Sequence, residues 1–183
     1  NIKNLGSNEL LGYSAYIFFG GKMSANSQSG GINNEFIFLK KLIKSNKLII
    51  GICLGAQLIA KIYGSKIYKN KNNLVEIGYR KLDKLNEKFF KNVSSMLQFH
   101  NEGITYNSHM SIYAKGRNFE IDAFKIKKKK IYGFQFHPEV NESMIKNWYS
   151  NLSSIKKGTD SLSKILLDHK KNCEKNYKWL SNF

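Results

Sequence analysis

A short apolar run, Lys47-Leu48-Ile49-Ile50, leads directly into Gly51-Ile52-Cys53-Leu54-Gly55-Ala56-Gln57 and then into Leu58-Ile59-Ala60-Lys61-Ile62-Tyr63. The first part reads as a buried strand, and the last carries apolar residues at helical spacing. A strand that passes into a helix within a few residues leaves one place for the turn, and Cys53 occupies it. Gly51 and Gly55 are expected to let the backbone take a strained bend there. A sulfur at a helix N-terminus also meets unpaired N–H groups and the positive end of the helix dipole, which favour thiolate over thiol. This is the logic of a nucleophile elbow with Cys in place of Ser. A small, inert cysteine buried behind a core strand fits the same pattern, so the rest of the chain must decide.

Upstream, Asn1 to Leu11 can hold a short strand or a loop, and Tyr13 to Phe19 reads as a buried strand ending at Gly20-Gly21. A strand that runs into two glycines can offer backbone N–H groups to a ligand, although glycine pairs also mark simple turns. Lys22 to Asn34 is polar and reads as a loop, and Glu35 to Ser45 as a helix. The elbow helix is expected to stop at Gly64, in the position that favours glycine after a helix. Alternating strands and helices of this kind imply an α/β fold of three layers, with a mostly parallel central sheet flanked by helices and a site outside the carboxyl ends of the strands. On that rule Gly20-Gly21 and Cys53 emerge on one edge.

Between Lys66 and Phe136 the texture changes to short strand-like pieces joined by Asn, Lys and Gly turns, which adds a small antiparallel set. The pieces are Lys66–Tyr68, Val75–Leu82, Ser95–Phe99, Ser111–Lys115, Glu120–Ile126 and Ile131–Phe136, with a short helix or turn at Lys84–Lys91. Ser143–Leu152 is helical, and Ser161–Phe183 reads as a final helix with Leu162, Ile165, Leu166, Cys173, Tyr177 and Leu180 facing the core.

With 183 residues and 42% hydrophobic content the chain can bury one core, so residues 1–183 are read as a single domain. No run approaches the roughly 20 apolar residues of a membrane span, and no signal-peptide core opens the chain, which points to a cytoplasmic protein without a membrane partner. Cys53 and Cys173 sit in such different contexts that both are read as reduced thiols. A net charge of +17 raises the question of nucleic acid. The excess is scattered as single lysines, and its one dense cluster, Lys127-Lys128-Lys129-Lys130, reads as the solvated tip of a hairpin. No nucleic-acid partner is expected.

The segment Gly133-Phe134-Gln135-Phe136-His137-Pro138-Glu139-Val140 ends an apolar strand on a histidine, with a carboxylate two residues on. A thiol nucleophile needs a base to take and return its proton, and the base needs a partner to fix its tautomer. Residues two apart on an extended segment point the same way, and Pro138 keeps His137 out of the helical region. His137 and Glu139 therefore complete what Cys53 lacks.

Together, Gly20-Gly21, Gly51-Ile-Cys53-Leu-Gly55-Ala-Gln57 and Gly133-Phe-Gln-Phe-His137-Pro-Glu139 resemble the class I glutamine amidotransferase family, in particular the stand-alone proteins similar to the glutaminase domain of GMP synthase. The resemblance runs from about Tyr13 to Trp148. It implies a flavodoxin-like fold, no cofactor and no metal, and hydrolysis of the glutamine side-chain amide through a Cys53 thioester, with His137 as acid and base and Glu139 as its orienting partner. It also implies an oxyanion hole from the N–H groups of Gly21 and Leu54 and a glutamine pocket lined by Gln57. Phe99-His100-Asn101-Glu102 resembles the segment that approaches the amino-acid end of the substrate, which marks His100 and Glu102. Glu76-Ile77-Gly78-Tyr79 resembles a further segment near the site.

Three departures stand out. Lys22 replaces the usual proline after the two glycines, and Asn101-Glu102 replaces Gly-Asp. The family fold opens with a strand, turn and helix before the region matching Tyr13, and only about a dozen residues precede it here. The expectation is an N-terminally incomplete domain with an open sheet edge and poor solubility by itself. About 35 residues follow Trp148, too few for an ATP-pyrophosphatase domain, and no Asp- and Ser-rich phosphate loop is present, so the ammonia acceptor is expected to be a separate synthetase or other protein. A hydrolase of γ-glutamyl amides with the same triad and a non-catalytic basic binding module are the alternatives.

Overall fold

The computed structural model describes residues 12–183. Strand β1 (Ala15–Phe18) is followed by helix α1 (Gly30–Leu42), β2 (Leu48–Ile52) and α2 (Leu54–Ile62). Seven short strands come next: β3 (Ile67–Lys69), β4 (Glu76–Lys81), β5 (Asp83–Lys84), β6 (Ser95–His100), β7 (Glu102–Ile104), β8 (Met110–Lys115) and β9 (Ile121–Ile126), with β10 (Ile131–Phe134) closing the series. Helices α3 (Glu142–Ser150) and α4 (Leu162–Leu180) complete the described chain. The expectation for Asn1 to Leu11 lies outside the described residues, as does any test of an open edge beyond β1.

The main sheet runs β1-β2-β10-β9-β8-β5, and two further pairs, β3-β7 and β4-β6, stand apart from it. The strands that carry the site are parallel: β2 lies between β1 and β10, with Gly51 opposite both Phe18 and Gly133 and with Ile52 opposite Phe134. The remaining neighbours in this sheet are antiparallel. Alternation along each central strand divides the core. Ile49, Phe124 and Ile131 face the cluster formed with Leu39, Leu42, Leu58 and Ile59 of α1 and α2. Ile50, Ile52, Ala123 and Phe134 face the opposite side, toward Phe90, Met96 and Trp179. A third cluster joins Ile77 and Leu97 of the β4-β6 pair to Ile145 and Ile165 of α3 and α4.

Local departures from the sequence reading have physical causes. Helix α1 starts at Gly30, inside the stretch expected to be loop, because Ile32 is buried along with Leu39 and Leu42 and extends the apolar face by a turn. Lys84–Lys91 takes the turn of the two expected forms: β5 includes Lys84, and Asn86 closes the following turn by accepting from the Phe89 N–H at 3.0 Å. The lysine cluster does form the β9-β10 turn, with Lys128 at φ 60°. No helix among the described residues is long and apolar enough to cross a membrane.

Helix α4 buries Ile165, His169, Asn176 and Trp179, whereas Tyr177 is exposed and Cys173 half-buried. Three of these four buried residues are polar or carry a polar edge, and each finds a partner on the other side. His169 Nδ1 lies 2.8 Å from the Tyr79 hydroxyl. The Asn176 amide donates to Ser95 O at 3.2 Å, and the Trp179 indole to Phe89 O at 2.9 Å. Ile165 is buried and Leu162, Leu166 and Leu180 pack against the core as expected, but because paired polar groups can be buried at little cost, a search for apolar residues alone misses His169 and Asn176 on the same face. The Trp179 ring stacks on Phe90 with centroids 5.4 Å apart and meets Phe134 edge-on at 5.1 Å. Trp179→Ala is expected to lower unfolding free energy by about 3–5 kcal/mol, read as a shift of the urea midpoint; an unchanged midpoint would mean that α4 is not part of the cooperative core.

Candidate active site

Cys53 is the first residue after β2 and caps α2 with φ 49° and ψ −105°, a left-handed conformation that costs a side-chain-bearing residue on the order of 1–3 kcal/mol. The strain therefore sits on the cysteine. Gly51 and Gly55 have ordinary φ and serve another need, close approach: a Cβ on Gly51 would lie 2.6 Å from Ala56 N, and one on Gly55 would lie 2.2 Å from Phe18 O. This corrects the expectation that the flanking glycines take the bend. Two hydrogen bonds hold the turn, Cys53 N–H to Phe134 O at 2.7 Å and Gln57 N–H to Cys53 O at 3.0 Å.

The first of these bonds ties the elbow to the end of β10. Beyond β10, His137 N–H donates to Leu97 O at 2.8 Å, and the imidazole stands against Cys53 and the tip of β1. Gly20 makes room for it, since a Cβ there would meet His137 Cε1 at 2.7 Å and Cys53 Cβ at 3.4 Å. The Trp148 ring lies edge-on to the imidazole with centroids 4.9 Å apart. His137 Nδ1 is 2.8 Å from Glu139 Oε1, so Nδ1–H donates to the carboxylate and Nε2 remains to exchange a proton with sulfur. Burial alone would lower the affinity of His137 for its proton. The charge and hydrogen bond of Cys53, with those of Glu139, more than offset it and push the imidazole up to about 10.

Gly21 and Leu54 face the same space, with a Cβ on Gly21 reaching Leu54 Cδ2 at 3.1 Å. Leu54 is the first residue of α2, so its N–H has no partner inside the helix. Both line a cavity of about 470 Å³ whose wall also includes Cys53, Gln57, Glu102 and His137. Glu102 Oε1 accepts from the Ser24 hydroxyl at 3.0 Å, which anchors this carboxylate at the cavity wall. Gln57 is buried, and its amide donates to Glu102 O at 3.2 Å.

His100 lines the same cavity, and its ring is tied to the protein. Its Nδ1 bonds Glu102 O at 3.0 Å and its Nε2 lies 3.0 Å from Gln98 Oε1, so both nitrogens are committed and the ring supports the β6-β7 corner. Beneath it, Glu76, His100 and Asp122 bring three ligand-type atoms within 4.8 Å of one another, all buried. These are the residue types that hold a metal, and protons can satisfy two of them, Asp122 and His100. Burial, with Glu76 nearby, raises Asp122 well above the usual carboxylate range, and burial lowers His100 to about 3. A neutral His100 that gives its Nδ1–H to Glu102 O must accept at Nε2. Gln98 can supply that hydrogen if its amide is turned. Gln98 Oε1 then faces Asp122, where the carboxyl proton serves it.

Four side chains of this region escaped the sequence reading: Gln98, Asp122, Gln135 and Trp148. Gln98 and Gln135 carried a signal, each being a polar residue inside an apolar strand, which a buried strand tolerates only when the group is satisfied. The proton on Asp122 has a measurable consequence. A folded value above the unfolded one stabilises fully below about pH 4, and that contribution is lost as pH rises toward the folded value. Asn does not titrate, so Asp122→Asn should gain on the parent protein as pH rises above about 4, in paired thermal melts; a stability difference independent of pH would contradict the protonated carboxyl.

Known proteins resemble this chain in sequence and in fold. Residues 2–153 match the glutamine amidotransferase class-I family. The chain is 32% identical over 138 residues to a glutamine-hydrolyzing GMP synthase of Chlamydia muridarum, covering 71% of this chain and 25% of that protein. It is 36% identical over 106 residues to a subunit of the glutamine-hydrolyzing GMP synthase of Methanococcus aeolicus, covering 55% of each. A glutamine amidotransferase of known structure from Thermotoga maritima superposes with a TM-score of 0.68 at 27% identity, over 91% of this chain and 71% of that one. The alignments thus span from a quarter to about half of the length of these two sequence relatives. The match over most of its length shows that the chain belongs to the class I glutamine amidotransferase family.

Proposed function

We propose that this chain is a cysteine-dependent glutaminase that releases ammonia from glutamine. The observation that carries the reading is the Cys53–His137–Glu139 arrangement, in which a strained cysteine and a proton-rich imidazole share one buried wall of an open cavity. The Cys53 sulfur attacks the side-chain amide carbon, forming a C–S bond and moving the carbonyl π pair onto oxygen. The N–H groups of Gly21 and Leu54 receive that oxyanion, each such donor being worth about 3 kcal/mol of barrier where it has been removed from other enzymes. His137 then gives its proton to the amide nitrogen, the C–N bond breaks and ammonia leaves. His137, now neutral, takes a proton from water as that water attacks the thioester, and the sulfur leaves as thiolate with glutamate as product. Glu139 keeps Nδ1–H in place throughout.

Glu102 supplies the negative charge that would meet the α-ammonium of the substrate, with Gln57 holding the Glu102 backbone in position. His100 acts through that same backbone carbonyl. Relatives named as GMP synthase, and as one subunit of it, suggest that the ammonia passes to a synthetase, here a separate protein, and that residues 1–183 form one amidotransferase domain.

Glutamate release from glutamine by the purified protein should be lost in Cys53→Ser, and equal rates in the two would refute the proposal. Faster release from γ-glutamyl amines than from glutamine would reassign the substrate while keeping the triad. Activity should fall on the alkaline side as His137 loses its proton near pH 10. Because Glu139 helps hold that proton, Glu139→Gln should move this limb to lower pH and reduce kcat by about 100-fold or more; a limb that stays in place would show that Glu139 does not act on His137.

A further inference from the structure

Gln135 lies on the extended run that leaves β10, two residues before His137, and its side chain is almost fully buried. Its backbone N–H donates to Asp122 O at 2.8 Å. Its side-chain Nε2 points at the nucleophile, 3.7 Å from Cys53 Sγ, within the range of an N–H···S hydrogen bond. A buried amide is costly unless its hydrogens are used, and here one of them faces sulfur.

The orientation of this amide is set from behind. Gln57 Nε2 lies 3.4 Å from Gln135 Oε1 and 3.2 Å from Glu102 O. Gln57 therefore presents an NH2 group to Gln135, and only the oxygen of Gln135 suits that contact. Turning the Gln135 amide over would set NH2 against NH2 on one side and oxygen against sulfur on the other. The chain of contacts from Glu102 O through Gln57 to Gln135 thus ends in a donor aimed at Cys53. The Gln57 contact also means that this residue, expected to line the substrate pocket, serves the nucleophile as well.

We infer that the Gln135 side-chain amide is a second hydrogen-bond donor to the Cys53 sulfur, opposite His137, held in its donating orientation by Gln57. The inference rests on the glutaminase reading for its kinetic consequence, but its geometry stands apart from that reading. A donor at sulfur favours the thiolate before attack and again when the thioester breaks, and it loses most of its value while sulfur is acylated and uncharged. Gln135 therefore acts on the reacting sulfur in both halves of the reaction and contributes little to holding the substrate. Gln57 is a positioning residue with respect to it.

The test is the rate of Cys53 alkylation by iodoacetamide between pH 5.5 and pH 9, followed by peptide mass spectrometry with Cys173 as the internal control. Gln135→Met, which keeps the length of the side chain and removes the donor, should displace the Cys53 curve to the alkaline side by about one pH unit, a tenfold fall in rate on the rising limb. Gln57→Met should displace it in the same direction by less, and Gln135→Glu by at least as much as Gln135→Met. Glutamine turnover should show kcat reduced about tenfold with KM changed less than about twofold. A Gln135→Met curve that superimposes on the parent curve, in a protein with the parent melting temperature, overturns the inference. If Gln135→Met does not fold, an unshifted Gln57→Met curve overturns it instead. A displaced alkylation curve in a protein that releases no glutamate from glutamine would leave this inference standing and remove the proposed function.

Discussion

The hydrogen bond from Cys53 N–H to Phe134 O, 2.7 Å long, is the constraint on which the site depends. It extends the parallel pairing of β2 and β10 by one step past the register of Ile52 with Phe134. Residues some eighty positions apart are thereby locked so that the chain leaving β2 and the chain leaving β10 emerge side by side. Without that pairing His137 has no reason to lie against Cys53. Strain at Cys53, on the order of 1–3 kcal/mol, persists because both sides of β2 are packed: Ile49 toward α1 and α2, Ile50 and Ile52 toward Phe90 and Trp179. The close approaches at Gly51 and Gly55 bring α2 down onto the strand ends, which leaves Leu54 N–H at the cavity wall.

Much of this was legible in the order of residues. The apolar run at Leu48–Ile52 and the helical spacing after Cys53 place the turn, and His137-Pro138-Glu139 after an apolar strand supplies base and carboxylate in one extended segment. What periodicity misassigns is the detail set by tertiary contacts. Helix α1 begins earlier because Ile32 finds a core to enter, and α4 turns a mixed polar face inward because Tyr79, Ser95 and Phe89 offer partners to it. The role of the elbow glycines was also hidden. A sequence shows that glycine is present, and only the neighbours reveal whether it relieves a backbone angle or a clash.

The polar residues behind the pocket show a second kind of limit. Gln57, Gln98, His100, Gln135 and Asp122 come from four separate stretches of the chain, yet all are buried, and Gln57 and His100 both bond Glu102 O. In low-dielectric surroundings such a group specifies geometry only when every member is satisfied. A protonated Asp122 and a neutral His100 move the region toward that condition. The match to the class I glutamine amidotransferase family ends at residue 153, so helix α4 lies beyond it, where Trp179 packs against Phe134 and Phe136 on the run that leads to His137.

The central claim is that Cys53 is the atom acylated by glutamine. Acid quenching of the protein during turnover, followed by peptide mass spectrometry, tests it most directly. The account predicts a glutamyl group on the peptide containing Cys53 and none on the peptide containing Cys173. Release of glutamate from glutamine with Cys53 unmodified at every quench time, including conditions that slow water attack on a thioester, would contradict it.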